Sequence, residues 1–211
     1  MLVWFDRHFS IRLPAGRFIG NTLLLSIGGL LPVLALYIAG TPGFWGHLAG
    51  TRGAFGPFLR QVVTNGLPAV VAVNWVGLIL FARLRAQTLG PFAVLTLDFG
   101  ARIVLFALLH GAVFAVSALV FGAFGGDPAQ AIAALGPTLA RAAAFGNLAG
   151  VYLYATLVSA LPLHMALIAA ILEGRGRLQL RPFMLVLPAA AIIAVQFAAL
   201  TGVGRVLGYL I

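Results

Sequence analysis

An aspartate, an arginine and a histidine stand inside the apolar run LDFGARIVLFALLHG, residues 97 to 111. Asp98 and Arg102 are four residues apart, which on a helix places them on one face, close enough to pair. A paired carboxylate and guanidinium cancel each other's charge, whereas an isolated charge in hydrocarbon has nothing to offset its desolvation. His110 and Ser117 fall within the same arc of about 120°, so Asp98, Arg102, His110 and Ser117 form one polar stripe. Such a stripe faces other helices or a wetted cavity. Its plainer use is structural: Asp98 and Arg102 lie within about two turns of one end of the run and can snorkel outward and orient the helix. Its sharper use is an ionic or proton-handling path.

A second histidine, His164 in LPLHMALI, lies about 13 Å from Glu173 along a helix, and His110 about 18 Å beyond Asp98. Two histidines deep in consecutive spans could axially ligate a haem or a chlorophyll-type macrocycle, because neutral imidazole is the usual axial ligand. Ala107, Gly111 and Ala160 beside them would admit a flat ring. A hydrogen bond to a neighbouring backbone or hydroxyl group accounts for each ring equally well. The expectation is therefore no cofactor, with the macrocycle as the alternative.

The remaining deep polar residues read as clamps. Asn74, Asn147 and Gln196 can bond between helices, each such bond contributing under about 1 kcal/mol in a membrane. GAFGG at 122–126 and GNLAG at 146–150 repeat the GxxxG spacing, so Gly122, Gly126, Gly146, Asn147 and Gly150 are expected to pack helices closely. Pro162 frees the carbonyl of Val158, for which the Ser159 hydroxyl is the expected donor. Tyr152 and Tyr154 are assigned to packing and the membrane interface.

Composition decides the class of chain that carries these residues. The sequence is 62% hydrophobic and 8% charged, against about 45–50% and about 25% in soluble domains. Too few polar residues remain to cover a soluble exterior. Five runs approach or exceed the ~20 apolar residues that cross a bilayer: 18–40 with Pro32, 66–84, 94–124, 143–172 with Pro162, and 182–203 with Pro188. The fold class expected is an all-α, polytopic integral membrane helical bundle forming a single domain over residues 1–211. The run from Phe18 to Gly40 is longer than a signal-peptide core and is not followed by a clear cleavage site, so it reads as a retained first span.

All 13 basic residues are arginines, giving a formal charge of +9. Arg7, Arg12 and Arg17 precede the first run, Arg83 and Arg85 follow the second, and Arg175, Arg177 and Arg181 separate the last two. With five crossings these groups share one side, opposite Arg52, Arg60, Arg141 and Arg205. Arginine excess on the cytoplasmic side predicts an N-terminus inside and a C-terminus outside. The same placement explains the basic charge by anionic headgroups instead of nucleic acid. Arg175, Arg177 and Arg181 are ascribed to topology first, and to lipid or partner contact second.

Three segments lie between or before the runs. Residues 1–17 mix aromatic and basic side chains, as a segment at the inner headgroup layer does. The loop at 41–65 offers Trp45, Phe55 and Phe58 as anchors in the outer interface. Residues 127–143 suggest a short amphipathic external helix opened by Asp127 and Pro128.

Enzyme chemistry finds little support. There is no cysteine, which excludes thiolate sites and disulfides. The acids are Asp6, Asp98, Asp127 and Glu173 alone, and no nucleophile–base pair, metal motif or phosphate-binding loop stands out. The function expected is therefore that of a non-catalytic accessory or assembly subunit, multi-pass in a bacterial inner membrane, with anionic lipid and other membrane subunits as partners. A small transporter or channel using the stripe is the alternative, and a haem- or chlorophyll-type binder the third.

Overall fold

A computed structural model describes residues 7–10, 12–87, 89–174 and 186–210. Among them every regular element is helical. Helix α1 is Ala15–Gly40, α2 is the short Phe44–Gly50, and α3 runs Phe55–Arg85 through a π-helical turn at Val62–Gly66. Helix α4 is Pro91–Phe121, α5 Pro128–Ala143, α6 Leu148–Gly174 and α7 Val186–Leu210. Helices α1, α3, α4, α6 and α7 are long and apolar enough to cross a membrane.

The boundaries follow local chemistry. Pro91 starts α4 at a position whose N–H would be unpaired anyway. Gly122 ends it in the left-handed conformation, φ +65°, that glycine adopts without penalty. Asp127 caps α5 by accepting a 2.8 Å hydrogen bond from the Ala129 N–H, with Pro128 in the first turn. The second span begins earlier than residue 66, because the segment after 54 is helical and joins α3 through the π turn. The expected loop at 41–65 is thus mostly helix. Trp45 and Phe55 are exposed there, while the Phe58 ring packs edge-on against Phe44 at 5.4 Å.

Helix α6 is the axis of the bundle. Within its spanning stretch 72% of residues are buried, against 33% for α3, 11% for α4 and 6% for α7. It touches α1, α3, α4, α5 and α7. Its small residues allow this: Ala155, Ala160, Ala166 and Ala169 are buried, and Gly29 of α1 lies so close that any Cβ would collide with the Ala155 carbonyl and Ser159. One apolar cluster joins Leu30, Val33, Val70, Phe106, Val151 and Leu157; a second joins Phe9, Phe18, Leu78, Phe81, Val94 and Leu163. Phe9 of the N-terminal segment is buried in this second cluster, and the Asn21 amide donates to the His8 carbonyl at 2.7 Å.

Candidate functional site

Between the two apolar clusters four helices bring polar side chains to one point. Asp98 and Arg102 come from α4, Asn74 from α3, Ser26 from α1 and His164 from α6. The Arg102 Nε donates to Asp98 Oδ2 at 2.9 Å, as their spacing requires. His164 Nε2 lies 2.7 Å from the same oxygen, across 66 residues of sequence. Arg102 Nη1 donates to Asn74 Oδ1 at 2.6 Å and more weakly to the Thr156 carbonyl of α6 at 3.3 Å. Asn74 Nδ2 donates to Ser26 Oγ at 2.9 Å, and Ser26 donates in turn to the Thr22 carbonyl of its own helix.

The arrangement answers what each group needs when water is excluded. A guanidinium has five N–H donors and a carboxylate two acceptor oxygens, and buried unpaired groups are costly. Asp98, Arg102, Asn74 and Ser26 are 0% exposed, and His164 is 1% exposed. The ion pair therefore does not reach outward from the bundle as snorkelling side chains do: its charge is met inside the bundle. Gly77 of α3 makes the room, since a Cβ there would lie 3.0 Å from the guanidinium carbon. Two atoms of the ion pair, Asp98 Oδ1 and Arg102 Nη2, are buried without a protein partner.

The expected stripe divides. Asp98 and Arg102 continue a buried row with Val94 and Phe106, whereas His110 and Ser117 are half-buried. His110 Nδ1 bonds the Phe106 carbonyl one turn back at 3.1 Å, and its ring stacks on Phe106 at 4.0 Å. The two histidines weighed as axial ligands thus have separate partners, His110 on its own helix and His164 on Asp98. Ligation through His164 Nε2 would require breaking the bond to Asp98. Among the described residues no group of three or more His, Cys, Asp or Glu side chains could hold a metal ion.

The glycine patterns serve different ends. Gly122 and Gly126 lie in the turn between α4 and α5 at φ +65° and +77°, with open space around them, so they permit the turn instead of packing helices. Gly146 lies in the turn after α5, its N–H bonded to the Arg141 carbonyl at 2.8 Å. Gly150 does pack closely: a Cβ would fall 2.7 Å from the Ala142 carbonyl of α5. Asn147 accepts from the Gly150 N–H at 2.9 Å and donates to the Thr138 carbonyl at 3.1 Å, so it caps α6 and ties it to α5. Ser159 donates to the Ala155 carbonyl at 2.6 Å and so does not serve the Val158 carbonyl freed by Pro162. Arg175, Arg177 and Arg181 lie outside the described residues.

Tyr154, expected to serve packing and the membrane interface, forms a second junction. The Tyr154 hydroxyl of α6 donates to the Ala143 carbonyl ending α5 at 2.6 Å and lies 3.0 Å from Thr201 Oγ1 of α7. Its ring meets Phe197 of α7 at 4.1 Å and Phe145 at 5.1 Å, and Phe145 meets Tyr37 of α1 at 5.6 Å.

No family model, no curated protein and no solved structure matches the chain. The class defined by fold and site is a helical bundle with five candidate membrane spans and a closed ionic centre.

Proposed function

We propose that this chain is a non-catalytic subunit of a larger membrane assembly, multi-pass in a bacterial inner membrane with its N-terminus inside. The observation that carries this reading is the enclosure of the ionic centre: Asp98, Arg102 and His164 bind one another at 0–1% exposure, where a substrate has no contact with them. The centre joins four helices, and a buried ion pair contributes less to stability than to fixing one arrangement, here the relative positions of α1, α3, α4 and α6. Bundle rigidity is what a scaffold subunit requires. Helices α4 and α7 leave most of their apolar surface outside the bundle, with Leu119 69% and Val195 67% exposed, and one part of it faces neighbouring subunits in this reading. Photocrosslinking groups at Leu119 and Val195, followed by native mass spectrometry after gentle solubilisation, test it. A defined heterologous membrane protein should be captured at one or both positions. A solitary monomer or a homo-oligomer overturns the assignment.

The two atoms Asp98 Oδ1 and Arg102 Nη2 favour a second reading, in which the centre carries a proton or ion. Ionisable groups inside a membrane are rare and often mark such paths. Asp98→Asn should then abolish a flux measured in proteoliposomes while the protein still inserts. An unchanged flux, or none in the unaltered protein, removes the reading.

A further inference from the structure

Helix α6 carries Pro162 between a half that holds the Tyr154 junction and a half that holds His164. Proline has no N–H, and its ring pushes against the carbonyl four residues back, so the helix is weakest there. The Val158 carbonyl lacks its helical partner, and the neighbouring Ser159 hydroxyl is bonded to the Ala155 carbonyl instead. The two halves are held by different means. Before the proline, Tyr154 reaches α5 and α7, the Thr156 carbonyl accepts from Arg102, and Gly29 of α1 lies against the Ala155 carbonyl and Ser159. After it, residues 163–172 read LHMALIAAIL, in which His164 alone has a side-chain N–H or O–H. Leu163 and Leu167 are buried in the second apolar cluster. Apolar contact holds helices only weakly where lipid chains are the alternative surroundings.

The 2.7 Å bond between His164 Nε2 and Asp98 Oδ2 is therefore the directional tie of the second half. The same ion pair reaches the first half, through Arg102 Nη1 and the Thr156 carbonyl at 3.3 Å. Asp98 and Arg102 thus grip α6 on both sides of its proline. We infer that α6 is hinged at Pro162 and that the ion pair of α4 is the latch that holds the hinge in one position. Loss of the one bond at Asp98 Oδ2 frees residues 163–172, which couples the ionic centre to the shape of α6. A swing of about 20°, the size of a proline kink, moves Ile168, about 9 Å beyond the hinge, by about 3 Å. The latch serves a rigid subunit and a proton path alike, and its test needs neither a partner nor a flux.

The test is double electron–electron resonance on the full chain in lipid nanodiscs. The chain has no cysteine, so labels can be placed in pairs without removing any. One pair joins Ile168, beyond the hinge, to the exposed Leu80 of α3; the other joins Val158, before it, to the exposed Val104 of α4. His164→Phe keeps a ring beside Phe81, which lies 6.4 Å from the histidine ring, and deletes the bond to Asp98. The Ile168–Leu80 distance should then shift or broaden by about 3 Å, while Val158–Val104 stays as it was. Adding Pro162→Ala restores the helix bond to Val158 and should return the first pair to a narrow distribution. Asp98→Leu with Arg102→Leu removes the other side of the latch without stranding a charge, so it should loosen the same pair even where His164→Phe fails to fold. An unmoved Ile168–Leu80 distance in a folded variant overturns the latch. Equal broadening of both pairs, or broadening that persists with Pro162→Ala, overturns the hinge.

Discussion

The ionic centre around Asp98 and the aromatic junction around Tyr154 use opposite means to fix the same central helix. At the first, α6 contributes His164 and the Thr156 carbonyl to a network in which charges and amides satisfy one another. At the second, α6 contributes one phenol ring to a stack, with a single hydroxyl reaching two neighbours. Lipid chains are as apolar as leucine, so burial of apolar side chains does little to hold helices together in a bilayer. What remains is directional bonding or close ring contact, and this molecule uses one at each junction. The two should fail differently. A directional network fails sharply when one member is removed, because its partners are left charged and unbonded. A stack fails gradually, because the rings that remain still touch.

The largest expected effect comes from breaking the ionic centre on one side. Asp98→Ala leaves the Arg102 charge buried without its carboxylate, and such losses cost about 3–5 kcal/mol. Replacing both, Asp98→Leu with Arg102→Leu, removes the uncompensated charge, though Asn74 and His164 still lose partners. The double variant should therefore be more stable than Asp98→Ala by at least about 2 kcal/mol. Unfolding in mixed micelles by increasing SDS, followed through tryptophan fluorescence, measures both. A double variant as unstable as the sum of the singles would mean that the pair is not coupled, and the comparison would lose its first half.

The aromatic junction should give way more gently, and its backbone adds a signature. Phe145 holds φ +59°, a left-handed conformation that costs a non-glycine residue about 1–2 kcal/mol. Its ring contacts with Tyr37, Tyr154 and Phe197 sustain it there. Phe145→Ala removes the rings' partner and keeps the strain, for a loss of about 2 kcal/mol. Phe145→Gly removes the same ring and relieves the strain, so it should be less destabilising than alanine by about 1 kcal/mol. The same unfolding measurement ranks them. The reverse order would show that the backbone is not held in this conformation.

The two junctions were unequally legible in the sequence. Asp98 and Arg102 announced themselves because charges inside an apolar run are rare, and a spacing of four fixes their pairing. Asn74 was legible as a clamp, but not its partner, since an amide bonds anything in reach. His164 could be seen as deep but not as facing Asp98, because facing depends on helix rotation, which α6 inherits from five neighbours at once. The aromatic junction gave no signal: phenylalanine is common in this chain, and Phe145 owes its role to a turn that no residue pattern marks. The helices themselves were legible from length and hydropathy. The extension of α3 back to Phe55 was not, because the glycines and proline of residues 50–57 read as loop. Likewise GAFGG and GNLAG share one spacing, yet one forms a turn and the other a cap with a close helix contact, a difference set by where each helix ends.

The smallest expected effect isolates the one directional element within the aromatic junction. Tyr154→Phe keeps the ring, and with it the contacts to Phe145 and Phe197, but deletes the hydroxyl. The Ala143 carbonyl then loses a 2.6 Å bond. The loss expected is about 1 kcal/mol, the usual net contribution of a neutral hydrogen bond. Thr201→Val deletes the other partner of that hydroxyl at 3.0 Å and leaves the bond to Ala143 intact, so it should cost less than Tyr154→Phe. If the two losses are equal, the link from α6 to α7 carries the whole effect of the hydroxyl and the bond to Ala143 adds nothing. If Tyr154→Phe costs as much as Asp98→Ala, the distinction between a network that fails sharply and a stack that fails gradually does not hold, because the aromatic junction would then also depend on one bond.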